Sequence, residues 1–203
     1  MNINERPITL GAHEQWINDL VFSPDGALSA SGSGESTVAI WQVDNRERLF
    51  RLAGHMGGMT RVAFSPDGQL LVTGAGDGYL LTWDVATGKK VAHLGSGGKG
   101  VTSLSVCATR PLLCVGREDG AIDIHNDLTG KGSIETLKIA ANGGVKGVVS
   151  PDGKTLAVSD LYNAVTVWDM AALWNGPRMR FGVDHPFSLA FTADSRYLGP
   201  APQ

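Results

Sequence analysis

The 203-residue sequence has few of the features that mark a membrane, secreted or nucleic-acid-binding protein. No run reaches the roughly 18 consecutive apolar residues that a membrane helix needs. The N-terminus, MNINERPITLGAHEQW, lacks the apolar core of a signal peptide. Charges of both signs are dispersed and the formal net charge is −3, so no concentrated basic surface for nucleic acid is expected. We therefore expect neither a membrane nor a nucleic-acid partner.

Cysteine is scarce, with only Cys107 and Cys114 in the whole chain. They fall in neighbouring predicted strands, where two free buried thiols are favoured and a disulfide is the alternative. Free thiols agree with a reducing compartment, so a cytoplasmic location is expected.

Motifs for catalysis and cofactor binding are also missing. The five histidines are not paired at a metal-like spacing such as HExxH. The glycine-rich run 95–100 lacks the GxxxxGK[ST] pattern of a phosphate loop, because glycine follows Lys99. We therefore expect no catalytic residue, no metal and no cofactor, and we do not expect an enzyme.

Glycine is abundant, at 27 residues, and it punctuates a repeated unit that is clearest in residues 53–94. Proline fixes φ, aspartate bonds its own backbone and glycine takes positive φ, so SPDG predicts a turn. Asp-Gly between two apolar runs predicts a hairpin. The β-prone segments between the turns are Met59–Phe64, Gln69–Thr73, Leu80–Trp83 and Lys90–Leu94. Four antiparallel strands in about 42 residues have the size of one propeller blade.

The same punctuation returns along the chain at a fixed interval. The turn segments are Phe22–Gly26, Phe64–Gly68, Val149–Gly153 and, in a decayed form, Phe191–Ser195. The predicted third strands end at Trp41, Trp83, His125 and Trp168. Two independent landmarks with one period indicate stacked supersecondary units.

These residues resemble the WD-repeat β-propeller family. The second repeat carries the marks Gly54-His55, Ser-Pro-Asp-Gly, Asp77-Gly78 and Trp83-Asp84. The resemblance implies an all-β fold with four full blades and part of a fifth. Similar proteins close with seven blades of about 42 residues, so this chain is not expected to form a closed seven-bladed ring. The expected units are a ring-closing strand at 6–10, blades at about 11–53, 54–95, 96–138 and 139–182, and a partial blade at 183–198.

The resemblance also implies a buried chain of hydrogen bonds in two repeats. Tryptophan, hydroxyl, histidine and carboxylate would tie the connecting loop to the blade and satisfy one another. In the second repeat the members are His55, Thr73, Asp77 and Trp83. In the first repeat a partial version consists of His13, Ser31 and Trp41, with Glu35 where aspartate is usual. We expect a structural role for this network, and the third and fourth repeats cannot build it.

Similar proteins contact their partners through the face that bears the Gly-His loops and the Asp-Gly turns. The function expected is therefore a non-catalytic scaffold for protein–protein interaction, or the regulatory propeller of a larger signalling protein. Trp16 is the aromatic candidate on this face, and large aromatics anchor interfaces, although packing on a neighbouring blade is the alternative. The candidate contact residues are Trp16, Asn18, Thr60, Thr102 and Glu118.

Two other functions stay open at this point. A propeller-type hydrolase or lactonase would place carboxylates and histidines around its central channel. The first strands offer Asn18, Asp19, Arg61 and Lys146 there, without a repeated acidic ligand. The other possibility is a truncated fragment without independent activity. An open stack of blades would leave two apolar faces bare, so we also expect self-association, or pairing with a chain that supplies further blades.

Overall fold

The computed structural model shows an all-β protein. It describes residues 9–58, 60–95, 97–139, 143–160, 164–173, 179–182, 190–196 and 198–199, and these ranges contain no α-helix. The strands are β1 (Ile17–Phe22), β2 (Leu28–Ser33), β3 (Thr37–Gln42), β4 (Arg48–Ala53), β5 (Arg61–Phe64), β6 (Leu70–Gly74), β7 (Leu80–Asp84), β8 (Lys90–His93), β9 (Val101–Val106), β10 (Leu113–Arg117), β11 (Ala121–His125), β12 (Ile134–Lys138), β13 (Lys146–Val149), β14 (Thr155–Ser159), β15 (Ala164–Asp169), β16 (Met179–Gly182), β17 (Ala190–Phe191) and β18 (Leu198–Gly199).

The strands form four antiparallel four-stranded sheets, each in chain order, and one two-stranded sheet. The sheets are β1–β4, β5–β8, β9–β12, β13–β16 and β17–β18. We call the first four sheets blades one to four. The predicted fold class is confirmed: the described residues form an incomplete β-propeller.

Each blade has the same internal register, which makes positions in different blades equivalent. The end of the third strand always pairs with the same position of the second strand. These pairs are Ser29 with Trp41, Leu71 with Trp83, Leu113 with His125, and Leu156 with Trp168. The 42-residue period of the sequence therefore corresponds to a true spatial period.

The Ser-Pro-Asp-Gly turns end the first strand of three blades in one way. In blade one, Ser23 Oγ donates to Asp25 Oδ1 (2.6 Å), and Gly26 has φ 74°. The counterparts Gly68 and Gly153 have φ 71° and 70°. Glycine is suited to this position because a side chain is disfavoured in the left-handed region.

Neighbouring blades pack face to face, with the apolar core between them. One buried cluster contains Ile40 of blade one with Leu71 and Leu81 of blade two. Corresponding clusters join blades two and three, and blades three and four. The first strands β1, β5, β9 and β13 contact one another in turn, and β13 contacts β17. Side chains from successive blades are thereby brought to a shared inner surface.

Two predicted elements at the ends of the chain lie partly outside the described residues. The expected ring-closing strand at 6–10 is described only at Thr9 and Leu10, which belong to no strand. The partial blade expected at 183–198 is described as the short strands β17 and β18, and residues 183–189 and 197 lie outside the described residues.

Candidate functional site

Blade two contains a buried chain of hydrogen bonds. Thr73 Oγ1 accepts the Trp83 indole N–H (2.9 Å) and bonds to His55 Nε2 (2.8 Å). His55 Nδ1 lies 3.2 Å from each Asp77 oxygen, and because a carboxylate only accepts, Nδ1 carries the proton. Burial lowers the pKa of His55, so its neutral ring accepts from the Thr73 hydroxyl. Thr73 is fully buried, so the group joins loop to blade and offers no exposed nucleophile.

Blade one contains the same chain with glutamate in place of aspartate. Ser31 Oγ accepts the Trp41 indole N–H (2.8 Å) and bonds to His13 Nε2 (2.7 Å). His13 Nδ1 lies 3.0 Å from Glu35 Oε1. A hydrogen bond from the Thr37 hydroxyl, followed by one from His13, lowers the pKa of Glu35 to about 2. The longer carboxylate therefore reaches the histidine and completes the network.

Blades three and four lack this arrangement. In blade three His125 takes the tryptophan position and Val115 takes the hydroxyl position. His125 Nε2 is buried and has no hydrogen-bond partner among the described residues. In blade four the Trp168 indole N–H donates to Thr166 of its own strand (3.0 Å). The buried polar chain is thus confined to the first two blades of the described structure.

Equivalent backbone hydrogen bonds mark one end of blades one to three. They run from Gly34 N to Trp16 O (3.0 Å), from Gly76 N to Gly58 O (3.0 Å), and from Glu118 N to Gly100 O (2.9 Å). We call this end the hairpin face, because it carries the loops of the Gly-His motif and the Asp-Gly hairpin. Trp16 and Glu118 both lie on it; Trp16 is exposed and Glu118 is exposed as well.

Side chains and glycines alternate on the hairpin face. The Trp16 indole lies over Gly34, where a Cβ in place of the glycine hydrogen would come within 2.9 Å of the ring. The Glu118 carboxylate lies over Gly100 in the same way, at 2.6 Å. In blade two the residues of the equivalent pair are Gly58 and Gly76, and neither supplies a side chain to cover the backbone there. We call this pair the glycine notch. The face therefore has a tryptophan, a glycine notch and a carboxylate in succession.

The other predicted contact residues are placed differently. Thr60, which was predicted as a partner contact, is fully buried and its hydroxyl donates to Ser33 O (3.1 Å). The side chain packs inward because blade one lies directly against it. Thr102 is half-buried and its hydroxyl donates to Val145 O of the next blade. Asn18 is half-buried, and its backbone carbonyl accepts from Arg61 Nη1 (2.7 Å). Only Trp16 and Glu118 of the five candidates are exposed on the hairpin face.

Met56 was missed by the sequence analysis. Its side chain is 93% exposed beside His55, while its backbone N–H donates to Asp77 Oδ2 (2.7 Å). The signal available was its position directly after the Gly-His pair, where the hydrogen-bond network holds the loop in place. An exposed methionine on a fixed loop adds apolar surface near the notch.

Two segments of the chain, residues 4–42 and 46–84, match the family model described as "WD domain, G-beta repeat". The two matched segments, which include strands β1–β7, are WD repeats. Blades three and four of this WD-repeat protein continue the register of the two matched segments. WD repeats generally form propellers that mediate protein interactions, and this general role applies here. A comparison with curated proteins found no match.

The described ranges contain no group of three or more His, Cys, Asp or Glu side chains that could hold a metal ion. They also contain no helix with the length and apolar character needed to cross a membrane.

Proposed function

We propose that this WD-repeat protein is a non-catalytic scaffold, or the regulatory propeller of a larger signalling protein, and that a partner protein binds its hairpin face. The observation that carries the proposal is Trp16. Its side chain is 68% exposed although it is the largest apolar side chain on that face. Tryptophan is enriched among the residues that dominate binding energy at protein interfaces.

The surroundings of Trp16 favour a docking role over packing on a neighbouring blade. The indole rests on the Gly34 backbone, so one side is supported within its own blade and the rest is open. This support fixes the ring before a partner arrives, which reduces the entropy lost on binding. Met56 extends the apolar surface from the next blade.

The glycine notch and Glu118 indicate the chemistry of the partner. Gly76 of blade two is exposed and carries no side chain, so a partner chain can approach its backbone closely, whereas Gly58 lies against the Gly34 backbone of blade one. Glu118 lies beyond the notch and supplies a negative charge. A segment with an apolar side chain for Trp16 and a basic side chain for Glu118 would complement both ends of this surface.

We also infer a cytoplasmic location. Cys107 and Cys114 are both buried free thiols. Burial raises the pKa of the Cys114 thiol, which keeps it protonated and unreactive. Two unpaired thiols support a reducing compartment.

The proposal is tested by comparing partner capture by the wild-type chain, Trp16→Ala and Val91→Ala. Val91 is also exposed but lies on the outer strand β8, so it controls for loss of any surface hydrophobic group. We expect Trp16→Ala to weaken binding of an identified partner by tenfold or more, about 1.4 kcal/mol or above, with an unchanged melting temperature. Equal capture by all three proteins would contradict the proposal.

A further inference from the structure

The inner surface of the propeller carries a layer of polar side chains from successive blades, and three of the four are charged. Asp19, Arg61, Ser103 and Lys146 occupy one register position on β1, β5, β9 and β13. Their pairing shows this: Asp19 faces Gly32, Arg61 faces Gly74, Ser103 faces Gly116 and Lys146 faces Ser159. All four line a single cavity of about 320 Å³. That volume is at the lower end for small-molecule sites.

The charge of this layer is positive on balance, since Arg61 and Lys146 oppose only Asp19. Both oxygens of Asp19 are already used by the backbone: Oδ2 accepts from Val62 N (3.1 Å) and Oδ1 from Leu20 N (3.0 Å). Its carboxylate is therefore partly neutralised by backbone N–H groups of β1 and β5. The two cations come from different blades and meet only because the fold brings β5 and β13 to the same cavity.

Arg61 is held in a fixed position by carbonyl groups on either side of its own blade. Its Nε donates to Thr102 O (3.0 Å) and its Nη1 to Asn18 O (2.7 Å). Among the described residues no hydrogen bond of Nη2 is found. A guanidinium that is anchored through two nitrogens and lines a cavity is preorganised for an anion.

An unsatisfied donor lies at the same cavity. Asn18 Nδ2 is buried and has no hydrogen-bond partner among the described residues. Leaving a buried N–H unpaired is unfavourable, so a group that accepts from it is favoured. Asn18 lines the cavity beside Arg61 and Lys146.

We propose that this cavity binds a small oxyanion, a phosphate or carboxylate group, through Arg61, Lys146 and Asn18 Nδ2. The shape of the group suits the site, because its several oxygens accept from donors that converge from different directions. Burial, followed by repulsion from Arg61, lowers the pKa of Lys146, and a bound anion would offset both effects.

Inorganic phosphate is the probe, titrated calorimetrically into the purified chain at constant ionic strength with chloride as the balancing anion. We expect one saturable site per chain and a rise in melting temperature with phosphate concentration. Lys146→Gln should weaken binding about tenfold or more, since it removes one charge-assisted hydrogen bond. Asn18→Asp should weaken it further, because a nearly isosteric carboxylate replaces the unpaired donor.

Lys90→Gln is the matched control, with the same change in charge on the exposed outer strand β8. Phosphate binding by this variant should equal that of the wild-type chain. Absence of saturable binding to the wild-type chain would overturn the proposal, as would equal affinities of Lys146→Gln and Lys90→Gln. If Lys146→Gln unfolds, Asn18→Asp decides the outcome. Partner capture through Trp16 does not depend on this result, so the two proposals fail separately.

Discussion

Among single residues, His125 departs most clearly from the repeat. It stands at the position that tryptophan occupies in the other three blades, and its Nε2 is buried without a partner among the described residues. Burial lowers the pKa of His125, while Asp123 opposes the shift and Arg117 adds to it. The neutral ring is therefore the form that the folded protein favours.

This shift predicts how stability depends on pH. Because the folded-state pKa of His125 lies below the unfolded value of about 6.5, the unfolded chain binds the proton more readily. Its contribution to stability is thus full above pH 6.5 and is lost as the pH falls toward the folded pKa. We expect His125→Phe to raise the free energy of unfolding by about 1 kcal/mol at pH 7, because it removes the unsatisfied nitrogen. Below pH 6.5 the advantage should grow, by at most about 1.4 kcal/mol per pH unit, in urea titrations.

The difference between wild type and variant isolates His125, because all other titrating groups are shared. His93→Phe is the control for loss of an imidazole as such, since His93 is exposed and stacks on Tyr79 with 4.8 Å between ring centroids. An equal gain from His93→Phe, or a gain from His125→Phe that shrinks on acidification, would contradict the explanation.

The sequence predicted which residues form the site better than it predicted which way their side chains point. The hydroxyl, histidine and tryptophan positions were expected from the resemblance to WD repeats. Solvent exposure of a residue at the start of a first strand could not be predicted in this way, because it depends on the neighbouring blade. Thr60 bonds to Ser33 O of blade one, a contact 27 positions away in the chain. Trp16 precedes its strand, and its side chain lies over Gly34 of its own blade and is exposed.

Among the elements, turns and hairpins were the most predictable. Their geometry is set by proline, aspartate and glycine within a few residues, so strand order and strand ends followed from local chemistry. Packing between blades was harder to predict from the sequence, since it depends on side chains about 42 residues apart. Gly88 shows this: a turn was expected between the predicted strands Leu80–Trp83 and Lys90–Leu94, but the aromatic ring of Phe50 that lies against Gly88 from blade one was not.

Two turn glycines separate the cost of backbone strain from the cost of a clash. Gly26 and Gly88 have φ 74° and 66°, so alanine is disfavoured at both. A Cβ on Gly26 would meet nothing within 4 Å, whereas one on Gly88 would lie 2.5 Å from Phe50 Cδ1. We expect Gly26→Ala to cost about 1 kcal/mol in urea unfolding, and Gly88→Ala to cost a further 1–3 kcal/mol, about the usual penalty for overpacking.

The clash can be removed independently by shortening Phe50. In a double-mutant cycle, Gly88→Ala should cost much less in a Phe50→Ala background, and its remaining cost should approach that of Gly26→Ala. Equal costs of Gly88→Ala in both backgrounds would show that the ring does not press on the turn.

For the whole molecule, the open side of blade one matters most. Leu20 and Phe22 on β1 are 58% and 63% exposed, whereas the equivalent Val62 and Phe64 of blade two are buried against blade one. The exposed side chains of β1 therefore have the position of residues that another blade covers. Together with Ile17 they form an apolar stripe along the first strand.

The centre of the same face is covered, and it is less apolar than in blade two. Its residues Ser29, Ser31 and Ala39 are 2%, 2% and 1% exposed, and they stand where blade two has Leu71, Thr73 and Leu81. The exposed apolar surface of this face is therefore concentrated on β1. A partner blade would be held mainly at the inner edge.

This distribution predicts self-association, or pairing with another chain, through the apolar stripe of β1. We expect light scattering of the isolated chain to give a mass above the 21.4 kDa of one copy, rising with concentration. The double variant Leu20→Ser with Phe22→Ser should shift the mass toward one copy, since it replaces the two most exposed side chains of the stripe. Val91→Ser with Ile134→Ser changes similarly exposed residues on the outer strands and should leave the mass unchanged. A wild-type chain that stays a single folded copy at all concentrations would mean that the stripe is covered within the chain itself.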